Sequence, residues 1–352
     1  MAYNILYIED NDPSSITADI KHCGLNVINH EPEDFEETLK EAMSGVIDLL
    51  LLDFRLTDKK AVFDAPTLAQ TIRTKNTSNH RHLPIVLISS EDIISDYYKD
   101  YSSQDLFDFA ISKNQLAMNL DKYTRRMVSL IEGYKALGDS IKKGEELEVL
   151  LKIPQLIEPK FSPSAKDALT SEKITSCSFM ASTFIIHHLV KPSGVLIGGD
   201  ILAARLGVDK QSPDWEELIK HLDEYKYNGI YSDAYTRWWA IGLEFWWKSN
   251  FSESPSLKRL NAAKRVELLA KKFNLNKLEP AKKIDHSKSD YFWTVCQVKR
   301  APLDPMDGFE KDKANMSWED PIYYSLLAAS ELSSPKKMKL IDRKRYLKEL
   351  EG

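Results

Sequence analysis

Short apolar runs alternate with amphipathic stretches along the first 130 residues. The run Asn4–Ile8 ends in acids at positions 9 and 10. From about Pro13 to His22 the spacing predicts a helix, with the proline suited to its first turn. Leu25–Ile28 is a short apolar run after Gly24, and Glu31–Met43 reads as an acidic amphipathic helix. Gly45–Asp53 contains four consecutive leucines and is apolar on both faces. Ala65–Arg73 is helical, Leu83–Ile88 is nearly all apolar, and Phe107–Ile111 is a last short strand. Continuous apolar strands between amphipathic helices predict an α/β domain: a doubly wound, five-stranded parallel sheet covered on both faces. In such sheets chemistry gathers at the carboxyl ends of the strands.

Beyond residue 113 the pattern changes. Asn114–Leu150 holds good helix formers, with Leu116, Leu120, Met127, Leu130, Ile131 and Tyr134 spaced by threes and fours. This predicts a last helix that continues as an arm, with Gly138 as its candidate break. Such an arm serves either as a homodimer contact or as a plain linker. Pro154, Pro159 and Pro163 then punctuate a loop. The expected domains are therefore 1–130, a connecting arm over 131–160, and a mainly α-helical (α or α+β) domain over 161–352. Within the last, 178–190 is apolar almost all round and predicts a buried helix, while 291–299 has strand-like residues.

Composition narrows the class. The chain has 352 residues, 43% of them hydrophobic, enough for two packed cores without disulfides. Its three cysteines (Cys23, Cys177, Cys296) lie far apart, which predicts a protein of a reducing compartment, read as cytoplasmic. No apolar run approaches a membrane span, so no membrane partner is expected. The net charge of −5 divides unevenly: residues 1–130 carry 21 acids against 13 bases, and the remainder 32 against 35.

Three acids stand at predicted strand ends, Glu9 and Asp10 after the first and Asp53 ending the third. Ser89 and Ser90 end the fourth, and Lys113 follows the fifth. Carboxylates gathered in one crevice repel unless a cation neutralises them, and a hard divalent ion such as Mg²⁺ takes oxygen ligands of this kind. A lysine and a hydroxyl on neighbouring strand ends would bind an anion at the same spot. Together these groups describe phosphoryl transfer to an aspartate.

Over about residues 1–130 the sequence resembles the flavodoxin-like receiver domain of two-component response regulators. The resemblance rests on IED at 8–10, LLLDFRL at 50–56, LPIVLISSE at 83–91 and SK at 112–113. It implies that Asp53 is the phosphoacceptor. It also implies that Glu9, Asp10, Asp53 and the backbone carbonyl of Arg55 hold Mg²⁺. Ser89 would be the switch hydroxyl and Lys113 the partner of the phosphoryl oxygens. A histidine kinase or a phosphotransfer protein is the implied phosphodonor. Two positions depart from the family pattern: Asn114 follows the lysine where proline is usual, and Ala110 replaces the aromatic switch residue. Asp12 reads as a helix cap, Asp58 as a surface acid, and His80 and His82 as loop residues.

The second half resembles no family. Ile201–Asp209 resembles the first helix and turn of a helix-turn-helix, but the next helix begins late, at Ser212–Pro213, and brings acids to its start. His187 and His188 read as core or cap residues. The densest aromatic region, 227–247, places Trp239, Leu243, Trp246 and Trp247 on one helical stripe, read as core or as anchors for a protein partner. Two basic clusters, 251–289 and 334–349, suit phosphate contact or a solvated face. The sequence thus predicts a response regulator whose output half acts through a protein partner. The alternatives are a nucleic-acid-binding (DNA) regulator and an effector enzyme with an unfamiliar site.

Overall fold

The computed structural model describes residues 2–56, 62–75, 82–90, 94 and 106–351. By contacts the chain divides into two compact units. The first comprises 1–152, 167–186 and 229–234, the second 153–166, 187–228 and 235–352.

The first unit is built on five parallel strands: β1 (Asn4–Ile8), β2 (Asn26–His30), β3 (Leu49–Asp53), β4 (Ile85–Ser89) and β5 (Phe109–Ser112). Their order across the sheet is β2-β1-β3-β4-β5, one of the doubly wound arrangements. All five residues of β3 and of β4 are buried, which their unbroken apolar runs require of strands covered on both faces. Pro84 stands just before β4, where it has no N–H to donate while its carbonyl accepts the Leu50 amide of β3 at 3.0 Å.

Helices α1 (Ser14–His22), α2 (Phe35–Ala42) and α3 (Ala65–Lys75) cover the sheet. Asp34 caps α2, its carboxylate accepting the Glu37 amide at 2.9 Å. The Asp12 carboxylate likewise accepts the Ser14 amide at the start of α1. After β5 the Ser112 hydroxyl accepts the Gln115 amide and opens a short α4 (Lys113–Met118). Asn119 leaves helical geometry, and α5 (Leu120–Lys143) then runs unbroken through Gly138 to Gly144. Gly144 closes the helix in the left-handed region at φ 68°, where glycine carries no Cβ penalty.

The amino edge of the sheet is held by one buried carboxylate. Asp108 accepts from Arg73 Nη2 at 3.1 Å, from the Ile85 amide at 2.8 Å and from the Tyr134 hydroxyl at 2.7 Å. Arg73 also donates to the Leu83 and Leu106 carbonyls, and its guanidinium lies 3.9 Å from the centre of the Phe179 ring.

The second unit is helix-rich with small two-stranded pieces. The predicted buried helix at 178–190, which up to residue 186 belongs to the first unit, is α-helical over Ser178–Phe184 and turns π-helical over Ile185–Val190. Trp238 and Trp239 form a short strand paired with Leu196–Ile197 rather than part of a helix. The helix Ala240–Asn250 follows, and Trp238, Trp239, Trp246 and Trp247 are all buried. The Trp246 ring stacks on Phe273, with centroids 5.6 Å apart. The aromatic stripe is therefore core, and none of these four side chains stands ready to anchor a partner.

Two other features of this unit take different positions from those the sequence suggests. Arg265, in the first basic cluster, is fully buried and donates to the carbonyls of Ala204, Arg205, Leu257 and Phe292. It satisfies the open end of helix Gly199–Leu206 instead of facing solvent. His188 meets Glu319 at 3.0 Å, an acid the local sequence does not supply. Helix Trp215–Lys220 opens with Glu216 and Glu217, so the would-be reading helix presents acids first. The strand-like 291–299 contributes the pair Thr294–Val295, bonded to Pro302–Leu303. Among the described residues no helix is long and apolar enough to cross a membrane.

Candidate phosphoryl-transfer site

Strand register brings the predicted residues to one edge. Ile8 pairs with Leu52, Asp53 with Ile88 and Ser89 with Ser112. The residues that follow these pairs therefore crowd at the carboxyl ends of four adjacent strands. Glu9, Asp10 and Asp53 offer carboxylate oxygens that lie within 4.8 Å of one another, and all three side chains are buried.

Lys113 closes the group. Its ammonium donates to Glu9 Oε2 at 2.6 Å and lies 3.2 Å from Asp53 Oδ1. The position follows from Ser112: by capping α4, it starts a helix at Lys113 and aims that side chain back over the sheet edge. The Lys113–Asn114 peptide is trans, and Asn114 sits in the first turn of α4. Glu9 takes two further bonds, from the Tyr7 hydroxyl at 2.7 Å and the Asn11 amide at 3.2 Å. Asn11 also donates its side-chain amide to Asp10.

The electrostatics sort these acids. Burial pushes the Asp53 carboxyl up, the Glu9 charge adds to this, and Lys113 only partly offsets them, leaving it at about 6. Burial acts the same way on Glu9, but the bonds from Lys113, Tyr7 and Asn11 outweigh it and hold Glu9 below the usual carboxylate range. Burial disfavours the charged form of Lys113, yet Glu9 and Asp53 together raise its pKa. Tyr7 is pushed well up, first by burial and then by Glu9, so it stays a donor.

With three carboxylates ionised against one ammonium, the pocket holds an excess of two negative charges. An all-oxygen, doubly anionic, buried donor set suits a hard divalent cation such as Mg²⁺ better than a soft one. The residues present therefore fit that ion.

The remaining predicted residues stand around this centre. Ser89 is buried at the end of β4, the strand beside Asp53, while Ser90 is exposed. Arg55 lies two residues past Asp53 with its side chain in solvent, leaving only its backbone to serve the site. Ala110 is half-buried, and the neighbouring Phe109 is covered instead, stacked on Tyr123 and lying under Arg126. His82 is buried against Phe179 at the opposite edge of the sheet, away from the acids and not in an exposed loop. Asp58 and His80 lie outside the described residues. Among the described residues, Asn11 and Tyr7 are contributors that the sequence reading did not name, and Tyr7 is the one the pattern of strand ends could not reveal. It lies inside β1, two residues before Glu9, and the strand's period of two places both side chains on one face.

No protein-family model matches the chain, and no curated protein is significantly similar to it. Solved structures are similar to its N-terminal third. The receiver domain of a sensor histidine kinase from Pseudomonas aeruginosa PAO1, with magnesium coordinated in its active-site cleft, is 20% identical. That likeness covers 36% of this chain and 98% of the other, with a TM-score of 0.30. The response regulator protein TrrA of Thermotoga maritima, in complex with Mg²⁺ and BeF, is 24% identical over 36% of this chain and 98% of its own, with a TM-score of 0.29. A third is a Saccharomyces cerevisiae co-crystal of a histidine phosphotransfer protein with the receiver domain of its downstream response regulator. It is 17% identical over 36% of this chain and 88% of the matched one, with a TM-score of 0.29.

Proposed function

We propose that this chain is a two-component response regulator that accepts a phosphoryl group on Asp53 from a histidine kinase or phosphotransfer protein. One observation carries the reading: Glu9, Asp10 and Asp53 converge within 4.8 Å at the carboxyl edge of the sheet, with Lys113 among them. A structural role alone does not account for burying three acids beside one lysine, because their repulsion works against the fold.

In this reading Glu9, Asp10, Asp53 and the Arg55 carbonyl hold Mg²⁺. Bound there, the ion neutralises charge on the incoming phosphoryl oxygens. Asp53 is the nucleophile. One of its carboxylate oxygens forms the new O–P bond as the N–P bond of a phosphohistidine breaks, and the departing imidazole nitrogen keeps that electron pair. Lys113 pairs with the phosphoryl oxygens, and the Ser89 hydroxyl donates to another of them. Tyr7 holds Glu9 in its ionised form and fixes its orientation. The second unit is the output module of the same chain.

The test is incubation of the full chain with Mg²⁺ and a small phosphodonor such as acetyl phosphate. Acid-labile phosphate is expected on the wild type and none on Asp53→Ala. Equal labelling of that variant would remove Asp53 from the role.

A further inference from the structure

The second unit holds a recess of about 530 Å³, and every residue lining it belongs to that unit. Three pieces of chain form its walls. The helix Gly199–Leu206 contributes Asp200 and Ala203. The turn after this helix is tied to the segment 279–281: the Asp209 amide donates to the Glu279 carbonyl and the Ala281 amide to the Gly207 carbonyl, both at 2.8 Å. The third wall is the hairpin of Thr294–Val295 with Pro302–Leu303. In its turn Arg300 stands at φ 55°, and its amide donates to the Cys296 carbonyl at 2.9 Å. Backbone bonds thus fix the recess before anything occupies it, as is usual for small-molecule sites, and its volume lies in their range.

The lining is two-sided. Val208 and Val295 are buried and, with Pro302, present only carbon. Four cations, Lys210, Lys282, Lys283 and Arg300, stand against two acids, Asp200 and Asp209, an excess of two positive charges. Both acids are already engaged. Asp200 takes Lys210 Nζ at 2.8 Å and Arg300 Nη2 at 2.7 Å, and Asp209 accepts the Gln211 amide at 2.9 Å. Lys282 and Lys283 have no carboxylate partner among the described residues, and Lys283 reaches only the Lys288 carbonyl, at 3.4 Å. Arg300 gives Asp200 one nitrogen of a five-donor fork.

Surplus cations around a recess concentrate field there and call for an anion of matching charge. A phosphate monoester supplies two negative charges. The carbon wall suits the flat face of a base, whereas the hydroxyls of a sugar phosphate would go unpaired against it. Charges that ring a recess of monomer size, with no run of them along an open groove, favour a small phosphate over a polynucleotide. We infer that this recess binds a nucleoside monophosphate, with its phosphate on Lys282, Lys283 and Arg300 and its base against Val208, Val295 and Pro302. Asp200 is then an internal competitor for Arg300 and Lys210. The site is independent of the proposed role of Asp53.

The experiment is isothermal titration of the full chain with each of the four common ribonucleoside 5′-monophosphates, their uncharged nucleosides and a single-stranded oligonucleotide. At least one monophosphate should bind with a Kd of about 1 mM or below, and its nucleoside at least about tenfold more weakly. Arg300→Gly, which suits the left-handed turn, should weaken that binding by about tenfold, and so should Lys282→Ala combined with Lys283→Ala. Lys264→Ala, an exposed base outside the recess, should leave it unchanged. Asp200→Asn removes the competitor and should tighten it several-fold. The assignment is wrong if no monophosphate reaches that affinity, if only the oligonucleotide binds, or if the recess variants bind as the wild type does.

Discussion

Lys113 stands closer to Glu9 than to Asp53, at 2.6 Å against 3.2 Å. The ammonium is therefore committed first to the acid that stays ionised, and only second to the one whose pKa is raised. It occupies space and charge that a divalent cation would also claim. Lys113→Ala should bind Mg²⁺ roughly tenfold more tightly by isothermal titration, because its competitor is gone. The same variant should take up phosphate from acetyl phosphate more slowly, by at least about tenfold, having lost a group that meets the phosphoryl oxygens. Weaker binding of the metal together with unchanged phosphate uptake would contradict both assignments.

Asp53 gives a pH dependence of known sign. Its folded-state pKa of about 6 lies above the usual carboxylate value, so between about pH 4 and 6 the folded chain binds a proton that the unfolded chain releases. Metal-free stability should therefore fall as pH rises through that window, with the full cost present above about 6. Asp53→Asn, neutral and similar in shape, should be more stable than the wild type at pH 7 in a chelator, by about 3 kcal/mol, and should lose that slope. Mg²⁺ should reverse the order, since it binds the wild-type acid cluster. Urea unfolding at pH 5 and 7, with and without Mg²⁺, measures all of this.

The opposite edge of the sheet predicts a plain loss. Asp108→Ala leaves the Arg73 guanidinium buried without its carboxylate, and should cost about 3–5 kcal/mol. Tyr134→Phe removes one hydroxyl bond to the same acid and should cost about 1 kcal/mol. Urea midpoints of the two variants rank them. Equal midpoints would mean that Asp108 does not organise this edge.

In the second unit, neighbouring bases should behave unlike each other. Arg265→Met strips four backbone carbonyls of their shared donor and should destabilise that unit by roughly 2–4 kcal/mol. Lys264→Ala breaks only an exposed contact with Glu267 and should change stability by less than about 0.5 kcal/mol. Thermal unfolding of the full chain distinguishes them.

The doubly wound sheet and its acidic edge were legible in the sequence because β1, β3 and β4 are apolar runs buried on both faces, each closed by a residue too polar to continue it. Asp53 after four leucines is the clearest case. The destinations of Arg265 and the four tryptophans were not legible. Whether a basic or aromatic residue faces solvent depends on which distant carbonyls and rings it meets, and local spacing carries no record of Phe292 or Phe273. The pairing of Trp238–Trp239 with Leu196–Ile197 is likewise a contact across some forty residues, invisible to a helical period. The joint at Asn119 was missed for a different reason: one residue leaving helical geometry between two good helices disturbs the apolar spacing very little.

Asp108 binds α3, β4 and α5 at a single point under the sheet. Mechanically, the first unit resembles a set of slats clamped at one end. Strain introduced at the clamped end would be resisted by α3, β4 and α5 together, whereas at the end where Asp53 lies the tie is the ion pairing of Lys113 with Glu9 and Asp53, which a change of charge alters directly. Such an arrangement lets a small local charge be spent on displacement without loosening the clamp.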